Sequence, residues 1–326
     1  MKQWKTMIAG GLLVLGMTAC GTENSEEASG ESTDTSGDGG SGSESTAAEE
    51  VTISHEMGET TVEKNPEDVV VFDYGTLDTL DTLGVEPAGL PQSTVPEYLS
   101  KYESSDYENV GSLKEPDFEK IAAMEPDLIL ISGRQQSAYE ELSDIAPTVD
   151  MSVDTTKYWD SFTSNVEKIG NIFNKEEQVE EELGSIRDTI DTLKEEASSA
   201  EGDALITLAN NGELSVYGAG SRFGIIHDEF GFKQADKNIE TSTHGQSVSF
   251  EYVKEEDPEY LFVIDRSAVV GGDTSAKEVI ENELTEETTA YKNDNIIYLN
   301  PEYWYISGGG LQSVPAMAEQ ASAALE

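Results

Sequence analysis

The chain has 326 residues, of which 66 are Asp or Glu and 19 are Lys or Arg, so its formal net charge is −47. Each phosphate contact to a nucleic acid needs a Lys or Arg, and a chain this short of them excludes a nucleic-acid partner. The length suits two domains of ordinary size, and 37% hydrophobic with 8% aromatic residues is enough for a core in each. A charge this negative stays soluble where salt screens self-repulsion, which points to an extracellular or salt-adapted surface.

The single cysteine, Cys20, excludes an intramolecular disulfide framework, a CxxC redox site and any multi-thiolate zinc site. Residues 1–19 carry Lys2 and Lys5, an apolar run from Met7 to Leu15 and small residues up to Ala19, the pattern of a secretory signal peptide too short to span a bilayer. The stretch Leu15-Gly16-Met17-Thr18-Ala19-Cys20 resembles a bacterial lipoprotein signal, with Met17 where Leu is commonest. That resemblance implies cleavage before Cys20 and lipidation of its thiol; the alternative is an ordinary signal peptide with an incidental cysteine. Residues 21–50 hold no Lys, Arg, aromatic or large aliphatic side chain, so they bury too little apolar area to offset their ordering entropy. Together with Cys20 they read as a solvated acidic tether, residues 20–50, with a reach of about 30 Å for a Gly/Ser-like chain.

From Val51 short β-branched runs alternate with helical stretches: 69–75, 128–132, 205–210, 260–266 and 295–300. Strands separated by helices of this length predict parallel α/β sheets. No strand signal falls between about 157 and 199. The stretch after Asn174 predicts one long helix with Asn174 as N-cap and Val179, Leu183, Ile186, Ile190 and Leu193 on one face. The fold class expected is therefore α/β, with two Rossmann-like lobes, 51–174 and 201–326, joined by a rigid interlobe helix at 175–200 and a ligand cleft between them.

An internal repeat supports that division. FEKIAAMEPDLILISGR (118–134) aligns without a gap on FEYVKEEDPEYLFVIDR (250–266), at an offset that matches Phe118 with Phe250, Glu119 with Glu251, Pro126 with Pro258 and Arg134 with Arg266. Each copy predicts a short helix, a Pro-acidic turn and a buried strand ending at an Arg. In open α/β sheets ligands sit off the carboxyl ends of the strands, so both copies deliver an Arg to the cleft.

The lipoprotein signal and acidic tether, VVVFDYGTLDTLDTLG (69–84), GSLKEPDFEKIAAMEPDLILISGRQ (111–135), GSRFGIIHDEFGF (220–232), STHGQSVSFEYV (242–253), LFVIDR (261–266) and WYISGGGLQS (304–313) together resemble the siderophore-binding lipoproteins of Gram-positive iron-uptake ABC transporters, the petrobactin binders in particular. The resemblance runs over essentially all of 51–326. It implies a helix-linked two-lobe fold, small hinge motion, a place on the extracytoplasmic face of the cell membrane, and delivery of a ferric siderophore to a membrane permease.

Of the four arginines, Arg134, Arg222 and Arg266 fall at strand ends or Gly-containing loops, and only Arg187 on the long helix. Guanidinium is always charged and its planar fork of donors suits oxygen-rich anions, so the three predict a basic cluster for an anionic ferric chelate. Matching arginines line the pocket in the family; ion pairing with one of the many carboxylates is the structural alternative. Tyr74, Tyr217, Trp304 and Tyr305 offer faces for catechol rings and for cation–π contact with the arginines, or else pack in a core. Gln135, Gln136 and His244 add loop hydrogen bonds. Glu119 and Glu251 sit in the first turns of matched helices, where they complement the helix dipole; in the family, glutamates at these positions contact permease arginines.

A bare-metal site would have to use the three histidines His55, His227 and His244, but His227 falls inside the helical GIIHDEF pattern and His55 lies next to the tether, which places neither at the cleft with His244. The expectation is no metal ligand and no intrinsic cofactor, Fe(III) arriving inside its chelate. No GxSxG, GxxxxGK[ST], CxxC or HExxH occurs, so no catalytic residue is assigned. The partners expected are a ferric catecholate or citrate–catecholate siderophore, an ABC permease and the membrane, with the chain a monomer. Other chelates (hydroxamate siderophores, ferric citrate, haem, cobalamin) stay open, as does a siderophore hydrolase using a serine of 242–249 with His244.

Overall fold

The structure is a computed structural model and describes residues 49–326. The signal segment, Cys20 and nearly all of the tether lie outside the described residues.

The described chain opens with an antiparallel hairpin, β1 (Glu50–His55) and β2 (Gly58–Glu63), joined by a two-residue turn before Gly58, whose φ is +140°. The hairpin docks on the first lobe through a hydrogen bond from the Thr60 hydroxyl to the Thr148 carbonyl (2.8 Å).

That lobe follows as β3 (Val69–Val71), α1 (Tyr74–Thr82), β4 (Gly89–Leu90), β5 (Glu108–Asn109), α2 (Phe118–Met124), β6 (Leu128–Ile131), α3 (Tyr139–Ser143) and β7 (Thr148–Asp150). Its sheet is parallel throughout, in the order β5-β4-β3-β6-β7. Strands β3 and β6 read Val-Val-Val and Leu-Ile-Leu-Ile and are wholly buried, as sheet covered on both faces requires.

Two helices then cross between the lobes, α4 (Tyr158–Ile172) and α5 (Glu176–Ser199). The buried residues of α5 include Val179, Leu183, Ile186, Ile190 and Leu193, the apolar stripe expected from the spacing. Asn174 is not its N-cap. It adopts φ +52°, and the next N–H, from Lys175, bonds back to the Gly170 carbonyl (2.8 Å). This is the left-handed residue and six-to-one bond that close a helix, so Asn174 ends α4 instead of starting α5, using the tolerance of Asn for that conformation.

The second lobe comprises β8 (Ala204–Asn210), β9 (Glu213–Tyr217), α6 (Ile225–Asp228), β10 (Gln246–Val248), α7 (Phe250–Glu256), β11 (Tyr260–Asp265), α8 (Arg266–Val270), α9 (Ala276–Ile280), α10 (Thr289–Lys292), β12 (Ile296–Leu299) and α11 (Ser313–Ser322). Its sheet runs β10-β9-β8-β11-β12 and is mixed: β8, β11 and β12 are parallel, whereas β9 and β10 are antiparallel. The expectation of a wholly parallel sheet fails here. Asn211 and Gly212 take φ +49° and +87°, so β8 turns straight back into β9 through a two-residue Asn-Gly hairpin of the type that matches strand twist.

The repeat occupies equivalent places. Helices α2 and α7 each span seven residues and end at a left-handed residue, Glu125 (φ 51°) and Asp257 (φ 44°). The strands that follow, β6 and β11, each lie between the lobe's first parallel strand and its edge strand. Buried residues of both lobes and α5 form one continuous core, while each sheet has a smaller cluster on its outer face.

Candidate functional site

Between the lobes lies a cleft of about 1490 Å³ whose lining includes Arg134, Arg222 and Arg266. Arg134 stands three residues beyond β6, in a loop locked by Gln135, whose side-chain oxygen accepts the Ser132 N–H (3.1 Å) while its amide donates to the Leu113 carbonyl. Arg222 lies in a turn between Gly220, at φ +67°, and Gly224; Asp228 closes the turn by accepting the Gly220 N–H (2.7 Å). Arg266 is the first residue of α8, and its position at the end of β11 follows from Asp265, whose carboxylate accepts the Ala268 N–H and caps that helix.

The three guanidinium groups converge on Tyr305. Arg134 (2.9 Å) and Arg222 (2.8 Å), from different lobes, both donate to its backbone carbonyl, and Arg266 donates to its phenol oxygen (2.8 Å) and to the Asn210 side chain (2.7 Å). Arg222 also lies over the Tyr305 ring, 4.1 Å from its centroid. Tyr305 sits in a π-helical turn, Glu302–Ser307. Among the described residues no carboxylate is within 4.0 Å of any of the three arginines; only Arg187 forms ion pairs, with Asp191 and Glu229. Ion pairing therefore does not account for the cluster.

The electrostatics follow from that crowding. Burial first, and then the like charge of Arg134, hold the Arg222 guanidinium below its ordinary pKa. Burial alone would raise the Tyr305 phenol, but the Arg266 hydrogen bond and the charges of Arg222 and Arg266 outweigh it and bring the pKa below the ordinary tyrosine value. Burial pushes the Tyr217 phenol up to about 12, the nearby arginines opposing.

The remaining predicted residues divide. Trp304, Tyr217 and His244 line the cleft, as does Gln136. The Trp304 indole is anchored by a bond to Gln320 (3.2 Å), and the Tyr217 hydroxyl donates to the His244 carbonyl (3.0 Å), holding the exposed His244 at the rim. Gly245 makes this approach possible: at φ +73°, a Cβ there would fall 2.7 Å from the Tyr217 ring. Tyr74 and Gln135 do not line the cleft. Tyr74 is 1% exposed and its hydroxyl donates to the Pro91 carbonyl (2.7 Å), while the Gln135 amide is consumed by the loop bonds above. Neither His55 nor His227 joins His244, and among the described residues no group of three His, Cys, Asp or Glu side chains is placed to hold a metal. Glu119 and Glu251 are exposed in the first turns of α2 and α7.

Sequence reasoning missed one wall. Ser161, Ser164, Asn165 and Lys168, on α4, face the cleft, with Lys114 from a loop. Burial lowers the Lys168 pKa, Asp150 partly offsetting it. The spacing of these polar residues, three or four apart within an otherwise amphipathic helix, was the available signal.

A family model described as periplasmic binding protein matches residues 69–303. The chain is 49% identical over 285 residues to the petrobactin-binding protein YclQ of Bacillus subtilis, covering 86% of this chain and 90% of that one. It is 33% identical to the ferric-anguibactin-binding protein FatB of Vibrio anguillarum, covering 81% and 84%. The crystal structure of YclQ superposes with a TM-score of 0.84, covering 85% of this chain and 99% of that one. That of the catecholate-siderophore binding protein VctP of Vibrio cholerae is 37% identical and superposes at 0.81, covering 84% and 100%. The chain belongs to the periplasmic binding protein family, as an extracytoplasmic solute-binding protein of its siderophore-binding group and not an enzyme.

Proposed function

We propose that the protein captures a ferric siderophore of the catecholate or citrate–catecholate type, petrobactin-like, in the interlobe cleft and passes it to an ABC permease. One observation carries the reading: three arginines from both lobes meet at a neutral carbonyl and a phenol, with no carboxylate partner among the described residues. A basic cluster held ready in this way gives charge-assisted hydrogen bonds to an oxygen-rich anion. The global charge of −47 does not prevent this, because charges beyond the Debye length of ~8 Å at physiological salt are screened while contacting arginines are not. Iron enters with its own oxygen ligands, so the protein acts on the periphery of the chelate.

Glu119 and Glu251 extend the proposal to the permease. They are exposed, occupy matched positions of the repeat and stand one on each lobe, an arrangement that orients docking through two charges. In the same reading a lipid on Cys20 and the acidic tether keep a monomeric carrier close to the membrane.

The test is a tryptophan-fluorescence titration of residues 21–326, in which Trp159 and the cleft-lining Trp304 report. Saturable quenching by submicromolar ferric petrobactin is expected, with none by hydroxamate chelates, haem, zinc or manganese. A response to bare zinc or manganese alone would overturn the reading.

A further inference from the structure

Two polar atoms of cleft-lining residues, Asp73 Oδ1 and the Tyr158 hydroxyl oxygen, have no hydrogen-bond partner among the described residues. Asp73 follows β3, and its Oδ2 caps α1 by accepting the Thr76 N–H (2.8 Å) and hydroxyl (3.0 Å). Its Oδ1 accepts no hydrogen bond from the described residues, and none of their Lys or Arg side chains lies within 4.0 Å of the carboxylate. Tyr158, which begins α4, is only 6% exposed, and its hydroxyl is buried without a partner. Both line the cleft together with the apolar Leu208, Trp304, Ile306 and Met317.

An orphaned buried hydroxyl is uncommon enough to need a reason. In apolar surroundings the low local dielectric also strengthens the pull of a carboxylate on any cation. Of the other carboxylates lining the cleft, Asp150 is buried and accepts from Ser152 and Gln136, while Glu56, Asp154 and Glu213 are exposed to solvent. The cleft therefore holds arginines without an anion and a carboxylate without a cation, and the two do not pair with each other. A ligand that satisfies both presents an oxygen-rich anionic part and, elsewhere, a cationic N–H donor.

We propose that Asp73 and Tyr158 form a subsite for a protonated amine of the ligand, so that the protein selects ferric chelates whose arms carry ammonium groups. This inference rests on the carrier reading above and narrows its ligand class. Asp73 supplies the charge, and the Tyr158 hydroxyl accepts a second N–H.

The experiment compares a ferric catecholate chelate bearing secondary amines with the same chelate N-acetylated at those amines, by fluorescence titration at constant salt. Asp73→Asn keeps the α1 cap, because Asn serves there as well as Asp, and Tyr158→Phe removes only an unpartnered oxygen. The unsubstituted chain is expected to favour the amine form by about tenfold or more, the scale of one charge-assisted hydrogen bond. Asp73→Asn should abolish that preference and Tyr158→Phe should reduce it, both leaving affinity for the acetylated form within about twofold because the arginines are untouched. Equal binding of the two chelates by the unsubstituted chain would overturn this inference alone. So would a preference that survives Asp73→Asn, since it would then come from the bulk of the acetyl groups. Binding of neither chelate would instead bring down the carrier reading, and this inference with it.

Discussion

The two lobes are built on the same helix–turn–strand unit, yet they present different walls to the cleft. In the first lobe α1 follows β3, the sheet stays parallel, and the wall is made of loops beyond the strand ends together with one face of α4. In the second lobe Asn211-Gly212 sends β8 directly back as β9, and one face of the hairpin joins the loops of Arg222 and His244 in the wall. Leu208, Asn210, Glu213, Ser215 and Tyr217 line the cleft, while the alternate residues Ala209, Leu214 and Val216 enter the outer core. A strand shows every second side chain on one face, so a two-residue turn decided which residues became ligand-facing. The hairpin part of the second lobe's wall is therefore held by strand register, whereas the wall of the first is held by loop hydrogen bonds such as those of Gln135.

The largest effect expected is on ligand affinity. Arg134→Ala, Arg222→Ala and Arg266→Ala should each weaken ferric-chelate binding by about ten- to a hundredfold, the value of a charge-assisted hydrogen bond. Because Arg134 belongs to one lobe and the others to the second, a loss confined to the second lobe's arginines would break the picture of a shared cluster. Fluorescence titration reads this directly.

Next comes the seam between α1 and the start of α11. Asp78 on α1 accepts the backbone N–H groups of Gln312 and Ser313, both at 2.7 Å, and a Cβ on Gly310 would stand 2.3 Å from its carboxyl carbon. Gly310→Ala should cost ~1–3 kcal/mol by overpacking, seen as a lower midpoint of chemical unfolding. Gly212→Ala brings its Cβ within 4 Å of no atom, so only the φ of +87° opposes it. It should cost ~1–2 kcal/mol and selectively weaken amide-exchange protection in β8 and β9.

Asp78 also sets a pH dependence. Burial raises its pKa to about 7 against the lowering effect of the bonds it accepts. Between the ordinary carboxylate value of 3.8 and about 7, the folded chain holds a proton that the unfolded chain does not. The Asp78 contribution to stability therefore falls as pH rises through that window, by ~1.4 kcal/mol per unit, and is flat above it. Unfolding midpoints at constant salt should show this slope in the unsubstituted chain and not in Asp78→Ala. A slope unchanged by the substitution would assign the effect elsewhere.

The smallest structural effect belongs to the matched glutamates. Glu119→Ala and Glu251→Ala should leave the unfolding midpoint almost unchanged, as exposed substitutions do, and chelate affinity unaltered. Both should lower permease ATPase stimulation in proteoliposomes. Loss with one glutamate and not the other would show that the lobes dock unequally.

Much of this was legible because it is local. The apolar stripe of α5, the strand runs and the repeat landmarks Phe118/Phe250 and Arg134/Arg266 are patterns of covalent neighbours, and three uncommon arginines at strand ends or in Gly-containing loops stood out against so acidic a background. The Asn-Gly turn was equally local and was available to be read. Asn174 misled because Asn serves both as an N-cap and as a left-handed helix terminator, and neighbouring residues do not separate the two.

Tyr74 and Gln135 were misplaced for a different reason: residue type advertised a hydrogen bond without saying with what. Their partners, Pro91 and Leu113, lie 17 and 22 residues away, and the packing between them turned both side chains inward. The same holds for the site itself. Composition and spacing determined that the chain makes two linked α/β lobes and brings arginines to their facing ends. That Arg134 and Arg222 share the carbonyl of a residue 171 and 83 positions away, and that the buried Tyr158 hydroxyl is left without a partner among the described residues, was decided only when the π-helical turn and α4 packed between the lobes. Periodicity fixes the faces of single elements, whereas the closing of a site depends on contacts whose sequence separation no local pattern records.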